Sequence, residues 1–289
     1  MDTLAALVLN GFITGAIYAV MALGFALIYN TTRVFHIAHG AVFTLAGYGA
    51  FLARALLPLA WVPAVVFATI AGILIEVLVY APIRRRSGGL ETYFIASLGV
   101  YFIVQNALQL VFGTEARQLR SGPFESVSFG VISVSYYHLL VLLVAVVAFT
   151  LVQLVLTHTR TGKAIRALAD NPGLTAALGI DPDRLQVVVF ALGSALAGLG
   201  AYLLAFDLGV RPDMGLQILL IAAISVILGG VGYLPGAIIG GFLLGLLQSL
   251  VLLPLSSVWQ NVVTFAVLIL VLLFRPQGLF GGRLVTRRA

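Results

Sequence analysis

The sequence predicts an all-α membrane protein, a bundle of eight or nine helices that cross the bilayer. Hydrophobic residues make up 61% of the chain and charged residues 9%, whereas soluble domains hold roughly 45–50% and about 25%. Apolar runs of about 20 residues recur along the chain, and each is long enough to cross the roughly 30 Å hydrocarbon layer as a helix. The absence of cysteine excludes a disulfide framework and a thiolate nucleophile.

The apolar runs recur from one end of the chain to the other, at unequal intervals. In chain order the predicted spans are 4–29, 37–57, 60–82, 92–112, 136–157, 185–206, 215–234, 236–254 and 258–274. Glycines and Pro235 crowd the junction near 229–236, so a broken or re-entrant helix there is the alternative that leaves eight crossings. We expect all spans to form a single transmembrane domain of residues 1–289.

The net charge of +6 is concentrated in three groups, at 84–86, 158–184 and 275–288. Counting crossings from an outside N-terminus puts all three groups, and the C-terminus, on the cytoplasmic side, as the positive-inside rule requires. The exceptions, which this count puts outside, are Arg54, Arg117, Arg120 and Arg211. No basic face with interleaved aromatic residues lies outside the spans, so the charge does not indicate a nucleic-acid partner.

The predicted outer side of the membrane carries one long loop, at 113–135. Its end alternates apolar and polar residues, and the apolar positions include Val127, Phe129, Val131 and Val134. This pattern favours a small hairpin that turns near Gly130. The loop is either a plain connector between spans or a docking surface for an extracytoplasmic partner.

The polar segment 158–184, the cytoplasmic insert, is predicted to form two short helices. Thr161 can cap the first, whose apolar face is Ile165 and Leu168. Asn171 and the proline after it end this helix and start the second. The insert is therefore a folded projection, which a separate motor protein could grip in order to move the helices in the membrane.

The second short helix of the insert has clear end signals. Gly179 is the predicted stop, and Asp181-Pro182 repeats the cap-plus-proline start for the next span.

Polar groups inside spans are costly and are therefore candidates for a translocation path. The candidates are Asn10, Gln105 and Asn106 within spans, and His36 and His39 where the chain turns into the second span. Hydrogen bonding between helices is the alternative role for each of them. Glu76 lies about two helical turns before Arg84 and is expected to be solvated or paired at the cytoplasmic interface.

Enzymatic motifs do not emerge from the sequence. Gly162-Lys163 resembles the end of a phosphate-binding loop, but Ala164 stands where such a loop has Ser or Thr. We therefore expect no ATP site, no cofactor and no metal site in this chain. A zincin helix and a nucleophile elbow are also absent, which argues against an intramembrane hydrolase.

Four motifs, in order and over nearly the full length, resemble the LivH-type permease subunit of branched-chain amino acid ABC importers. They are 10–29 with Arg33 and His36-Ile37-Ala38-His39-Gly40; EVLVYAPIR at 76–84; TGKAIRALADNPGLTAALGI at 161–180; and RPQGLFG at 275–281. His36 and Ile37 replace the Asn and Phe that are usual in the first of these motifs.

The resemblance implies partners that this chain does not contain. These are a second permease subunit, two cytoplasmic ATPase subunits that hold ATP and Mg, and an extracytoplasmic substrate-binding protein, all at a prokaryotic plasma membrane (the inner membrane of a Gram-negative cell). ATPase closure would act on the cytoplasmic insert and switch access to the path. The implied coupling positions are Thr161, Gly162, Ala164, Arg166, Ala167, Asn171, Ala176 and Gly179.

Three interpretations of the cargo and its driving force stay open. The first is a branched-chain or other small neutral amino acid carried in an ATP-driven importer. The second, in the same family, is urea or a short amide. The third is a secondary transporter or facilitator without a motor. Deep carboxylates or proton-relay chains would favour it, but only Glu76 is available and it is shallowly placed.

Overall fold

The computed structural model describes residues 2–120, 126–129 and 132–281. The helices in these ranges are α1 (Asp2–Thr32), α2 (Ala38–Leu52), α3 (Trp61–Ile75), α4 (Ala81–Arg85), α5 (Leu90–Phe112), α6 (Tyr136–His158), α7 (Arg160–Asp170), α8 (Pro172–Ala177), α9 (Pro182–Leu208), α10 (Met214–Gly229), α11 (Leu234–Val251) and α12 (Trp259–Phe274). The strands are β1 (Ser126–Phe129) and β2 (Ile132–Ser135). A 3₁₀ segment, Arg54–Leu59, follows α2, and a π-helical turn, Glu76–Tyr80, joins α3 to α4.

The described helices confirm a polytopic helical bundle. Within the described ranges, six segments are long and apolar enough to cross a membrane: Leu4–Thr32, Trp61–Arg85, Leu90–Phe112, Tyr136–His158, Pro182–Leu208 and Leu234–Val251. Shorter apolar helices, α2, α10 and α12, coincide with the other three predicted spans. At 1.5 Å per residue these three are about 22–24 Å long, which is less than the roughly 30 Å hydrocarbon layer. The number of complete crossings therefore depends on the depth and tilt of α2, α10 and α12 in this layer.

The predicted second span, at 37–57, is too long. α2 ends at Leu52, and the 3₁₀ segment that follows contains a non-helical residue, Leu56. Pro58 lacks the backbone N–H that a continuing α-helix needs. A chain of apolar residues therefore stops being α-helical before its hydrophobic run ends.

A four-residue turn lies at the predicted junction near 229–236, and whether α10 and α11 form two spans or one broken span stays open. α10 ends at Gly229 and α11 begins at Leu234. Gly230 and Gly232, within the turn, have φ of 106° and 91°. This left-handed region is accessible to glycine at little cost because glycine has no Cβ.

The chain divides into two compact units, and each is described here by itself. Unit 1 comprises 1–26, 122–148 and 220–289, and unit 2 comprises 27–121 and 149–219. The single transmembrane domain over 1–289 stays a prediction.

In unit 1, glycines at four-residue spacing allow α1 and α11 to pack backbone against backbone. A Cβ built on Gly15 would lie 2.8 Å from the Cα of Phe242, and one on Gly245 would meet the Gly15 backbone. Helices in a membrane associate through such close approach because lipid offers no hydrophobic gain for it.

Gln248 of α11 makes the central polar contacts of unit 1. Its Oε1 accepts a 2.7 Å hydrogen bond from the Tyr18 hydroxyl, and its Nε2 donates a 3.0 Å bond to Thr264 Oγ1. Both amide atoms of this buried side chain therefore have partners on other helices.

The predicted hairpin of the outer loop is also confirmed in unit 1. β1 and β2 are antiparallel, with Val127 opposite Val134 and Phe129 opposite Ile132. Gly130, where the turn was predicted, lies outside the described residues.

Unit 2 is built on α3 packed along α9, with α2 against both. A Cβ on Gly198 of α9 would lie 2.8 Å from the Ala64 carbonyl oxygen, so the two backbones touch. The backbone amide of Ala38, at the start of α2, donates a 2.9 Å hydrogen bond to Ser97 Oγ of α5. Unit 2 contains the whole of the cytoplasmic insert.

Candidate functional site

Thr159, and not Thr161, caps the first helix of the cytoplasmic insert. α7 begins at Arg160, and Thr159 Oγ1 accepts a 2.9 Å hydrogen bond from the Gly162 amide. Thr161 lies in the first turn of α7 and is exposed. The prediction of Thr161 was wrong because two threonines with capping chemistry stand two residues apart, and only Thr159 has the extended backbone of a cap.

α7 rests on the membrane helices through its predicted apolar face. Ile165 and Leu168 are 2% and 0% exposed, which confirms that prediction. Gly162 lies on the same side, and a Cβ there would overlap the carbonyl oxygen of Val155 at the end of α6. Glycine at this position lets the backbone of α7 lie directly on α6.

A single residue, Asn171, joins α7 to α8. Its Oδ1 accepts a 3.0 Å hydrogen bond from the Leu174 amide, and Pro172 is the first residue of α8. Both features are as predicted. Because Asn171 is at once the C-cap of α7 and the N-cap of α8, the angle between the two helices is set by one pair of backbone dihedrals.

The end of α8 is closed by Gly179, with φ of 80°, as predicted. The Gly179 amide donates a 2.9 Å bond to the Ala176 carbonyl, and the Ile180 amide donates a 3.3 Å bond to the Thr175 carbonyl. These two bonds form a Schellman motif. Asp181 then caps α9 by accepting a 3.0 Å bond from the amide two residues later.

The insert presents two kinds of side chain to solvent. Arg160, Lys163 and Arg166, the basic stripe, are exposed on α7, on the side opposite its buried apolar face. Leu174 and Leu178, the apolar tip, are 58% and 69% exposed at α8. The folded insert therefore presents cationic and apolar side chains on its outer surface, where a partner protein can contact them.

Three charged residues meet at the base of the insert. Arg84 Nη2 lies 2.7 Å from Glu76 Oε1, and Arg84 Nε lies 2.9 Å from Asp183 Oδ1. Glu76 is fully buried, whereas the side chain of Asp183 is 39% exposed. The expected pairing of Glu76 is thus confirmed, and its π-helical turn connects through Arg84 to the first turn of α9.

A small pocket of about 70 Å³ adjoins these charges in unit 2. A cavity needs roughly 10–15 Å³ of such volume to hold one water molecule, so this pocket can hold several. The lining residues are Thr32, Val34, Glu76, Tyr80, Arg84, Leu90, Tyr93, Gln186 and Phe190. Glu76 Oε2 and Gln186 Oε1, both buried, have no hydrogen-bond partner among the described residues.

His36 and His39, two candidates for the path, are fully buried in unit 2. Their rings are 5.5 Å apart, and His36 Nδ1 lies 2.8 Å from the Tyr80 hydroxyl. Burial, and secondly the charge of His39, lower the pKa of His36 well below its ordinary value. His36, in the connection between α1 and α2, is therefore neutral at pH 7 and its ring packs edge-on against Phe190.

The amide candidates are dispersed. Gln105 is partly buried and Asn106 is exposed on α5, where Asn106 Nδ2 donates a 2.7 Å bond to the Phe102 carbonyl within the same helix. Asn10 is exposed on α1 and belongs to unit 1. The roles of all five path candidates stay predictions.

Comparison with known proteins decides the family. Residues 7–272 match the family described as "Branched-chain amino acid transport system / permease component". The chain belongs to this family. It is 32% identical to the high-affinity branched-chain amino acid transport system permease protein BraD of Pseudomonas aeruginosa, and 31% identical to the LivH permease protein of Escherichia coli K12, over 94% of each chain in both cases.

The permease fold also has a solved counterpart. A chain of PsaBC from Streptococcus pneumoniae, in complex with Fab, superposes with a TM-score of 0.55 over 96% of this chain and 94% of that chain. The sequence identity is 12%, so this likeness concerns the fold alone. Membership of a permease family makes the chain a membrane transport subunit.

Sequence reasoning missed two residues at the base of the insert. Neither Asp183 nor Gln186 was singled out, although Asp181 and Pro182 were predicted to start α9. The three-residue spacing of Asp183 and Gln186 places them on one face of α9. Two polar residues on one face of an apolar helix were the sequence signal for a polar contact there. The partner across from it, Arg84, is 99 residues away in sequence from Asp183, and no local pattern could reveal the contact.

Proposed function

We propose that this chain is the permease subunit of an ATP-driven importer for branched-chain or other small neutral amino acids. The observation that carries the proposal is the folded cytoplasmic insert on a permease-family chain. Two capped helices, fixed to unit 2 by Ile165 and Leu168, hold the basic stripe and the apolar tip in one geometry. A rigid part of this kind transmits force, whereas a slack loop would not.

The partners follow from that mechanism. A second permease subunit completes the path, two cytoplasmic ATPase subunits bind ATP and Mg, and an extracytoplasmic protein delivers the cargo. The coupling positions are Thr161, Gly162, Ala164, Arg166, Ala167, Asn171, Ala176 and Gly179. Among them Gly162 has a packing reason for its small size, and Arg166 offers its exposed charge to an acidic group on the motor.

The cargo is proposed from chemistry and from the relatives' names. The spans of this chain carry few ionisable side chains, so a zwitterion held by helix ends and amides, with its apolar side chain in an apolar path, suits them better than a fully charged solute. Branched-chain amino acids meet this description. We propose an N-terminus outside and the insert inside, because the groups at 84–86 and 158–184 then obey the positive-inside rule.

The first experiment is purification of the chain from its host in mild detergent, with mass spectrometry of what stays bound. Co-purification of two ATPase subunits and a second permease supports the proposal. The purified assembly is then reconstituted in vesicles, and uptake of radiolabelled leucine is compared with uptake of urea, with and without ATP. Uptake that needs no ATP would point to a facilitator, and uptake of urea alone would replace the amino-acid cargo.

A second experiment tests the insert. Arg166→Glu should abolish leucine-stimulated ATP hydrolysis and uptake, because it reverses the charge at the centre of the basic stripe, while ligand affinity of the binding protein stays unchanged. Arg166→Lys, which keeps the charge, is the matched control. Wild-type uptake by Arg166→Glu would remove the insert from the mechanism.

A further inference from the structure

Arg84 divides its guanidinium between two different carboxylates. Nη2 holds the buried Glu76 at 2.7 Å, and Nε holds Asp183 at 2.9 Å at the start of α9. Asp183 lies at the end of the insert, four residues after the Gly179 stop. Arg84 is therefore the charged link between the base of the insert and the π-helical turn that contains Glu76.

The two carboxylates do not depend on Arg84 equally. Glu76 is fully buried, so losing its cation would leave an uncompensated charge away from water. Asp183 is 39% exposed and has a second cation, because Arg85 Nη2 lies 3.5 Å from its Oδ2. Breaking the ion pair between Arg84 and Asp183 thus costs little free energy, whereas breaking the pair with Glu76 costs much more.

The pocket beside Arg84 supplies replacement partners. Glu76 Oε2 and Gln186 Oε1 are both buried pocket-lining acceptors without a partner in the described part of the chain. A guanidinium carries five N–H donors in a planar fork and can serve several acceptors at once. If Arg84 turned from Asp183 into the pocket, Glu76 would stay neutralised and both spare acceptors would gain a donor.

We propose that Arg84 is a positioning residue with two alternative sets of partners: it holds Asp183 in the conformation described here, and it turns to Glu76 Oε2 and Gln186 Oε1 when the base of the insert is displaced. Two discrete arrangements of one cation give the base of the insert two stable positions instead of a continuous range. The exchange rests on the proposed function, because the motor supplies the displacement.

The test measures the distance between α4 and the start of α9 in the assembled transporter. The chain contains no cysteine, so cysteines introduced at the exposed Arg86 and Arg184 are its only labelled positions. Spin labels there report the distance distribution by pulsed electron paramagnetic resonance, without nucleotide and with ATP trapped. Wild type should give two populations whose ratio changes on ATP binding.

Substitutions on the two sides of Arg84 should move this ratio in opposite directions. Asp183→Asn weakens the arrangement described here and should shift the nucleotide-free ratio about two- to fivefold toward the ATP-bound one, as expected for a partly exposed ion pair. Gln186→Leu removes a pocket acceptor and should shift the ATP-bound ratio back by about tenfold, as expected for a buried hydrogen bond to a charge. Asp183→Glu keeps the carboxylate and should behave as wild type.

The outcomes separate the two proposals. A wild-type ratio that changes with ATP, together with variants that shift it the same way or not at all, overturns the exchange and leaves the importer standing. A wild-type distance that ignores ATP, in an assembly that still takes up leucine, also overturns the exchange alone, whereas an assembly without ATP-dependent uptake overturns both. Should Gln186→Leu fail to assemble, Gln186→Met removes the same acceptor with an unbranched side chain and carries the same expectation.

Discussion

In unit 1, α1 is fastened to α11 by touching backbones and neutral hydrogen bonds, whereas in unit 2 the end of α4 is fastened to α9 by charges. Gln248 has a partner for both of its amide atoms. Around Arg84, by contrast, two buried oxygens have no partner among the described residues. A fully satisfied network specifies one arrangement, and an incompletely satisfied one leaves a second arrangement within reach. The difference separates a fixed region from one that can change partners.

The largest expected effect comes from removing the shared cation. Arg84→Met leaves Glu76 buried without a partner and should lower the free energy of unfolding by about 3–5 kcal/mol. Thermal denaturation of the purified protein in detergent measures it. Arg86→Met, at an exposed neighbour, is the control.

A double variant sharpens this result. Glu76→Met together with Arg84→Met replaces the buried pair by apolar side chains and should recover most of the lost stability. No recovery would mean that the charges are not what holds this region together.

Backbone contact in unit 1 should come next. Gly245→Val places side-chain atoms where the Gly15 backbone and the Gly11 carbonyl oxygen already lie, and should lower the free energy of unfolding by about 3 kcal/mol. Gly99→Ala on α5 is the matched control, since a Cβ there meets nothing within 4 Å. An equal Tm for Gly245→Val and wild type would contradict the close packing of α1 and α11.

The smallest effect compares the same substitution in the two units. Gln248→Leu leaves the Tyr18 hydroxyl without its acceptor and removes a donor from Thr264, whose own hydroxyl still donates to the Gln260 carbonyl. The substitution should cost about 1–3 kcal/mol in unfolding free energy. Gln186→Leu removes a carbonyl oxygen that has no partner in the described residues, and should change stability by less than about 1 kcal/mol. Similar losses at both positions would remove the distinction between the two regions.

Much of this molecule is predictable because its signals are local. Apolar runs locate the nine helical segments, and Asn171, Gly179 and Asp181 define the ends of α8 and α9 through chemistry within four residues. Even the errors are local, since Thr159 replaces Thr161 as a cap of the same helix. Helix ends can be predicted because caps and glycines act on their own backbone.

The ion-paired base of the insert could not be predicted in the same way. Glu76 and Arg84 are eight residues apart, but a π-helical turn lies between them and alters which side chains share a face. Asp183 arrives from a distant helix. For the path candidates the sequence offers polar residue types but no spatial relation, because amides in a span serve packing and transport equally well.

The single-residue joint at Asn171 restricts how the cytoplasmic insert can evolve. Substitutions on the basic stripe or the apolar tip alter the surface while the helix directions stay the same. Adding or deleting one residue at the joint, however, would change the backbone dihedrals that set the angle between the two helices and would turn the apolar tip away from its former direction. The insert should therefore diverge freely in composition between transporters with different motors, while its length stays constant.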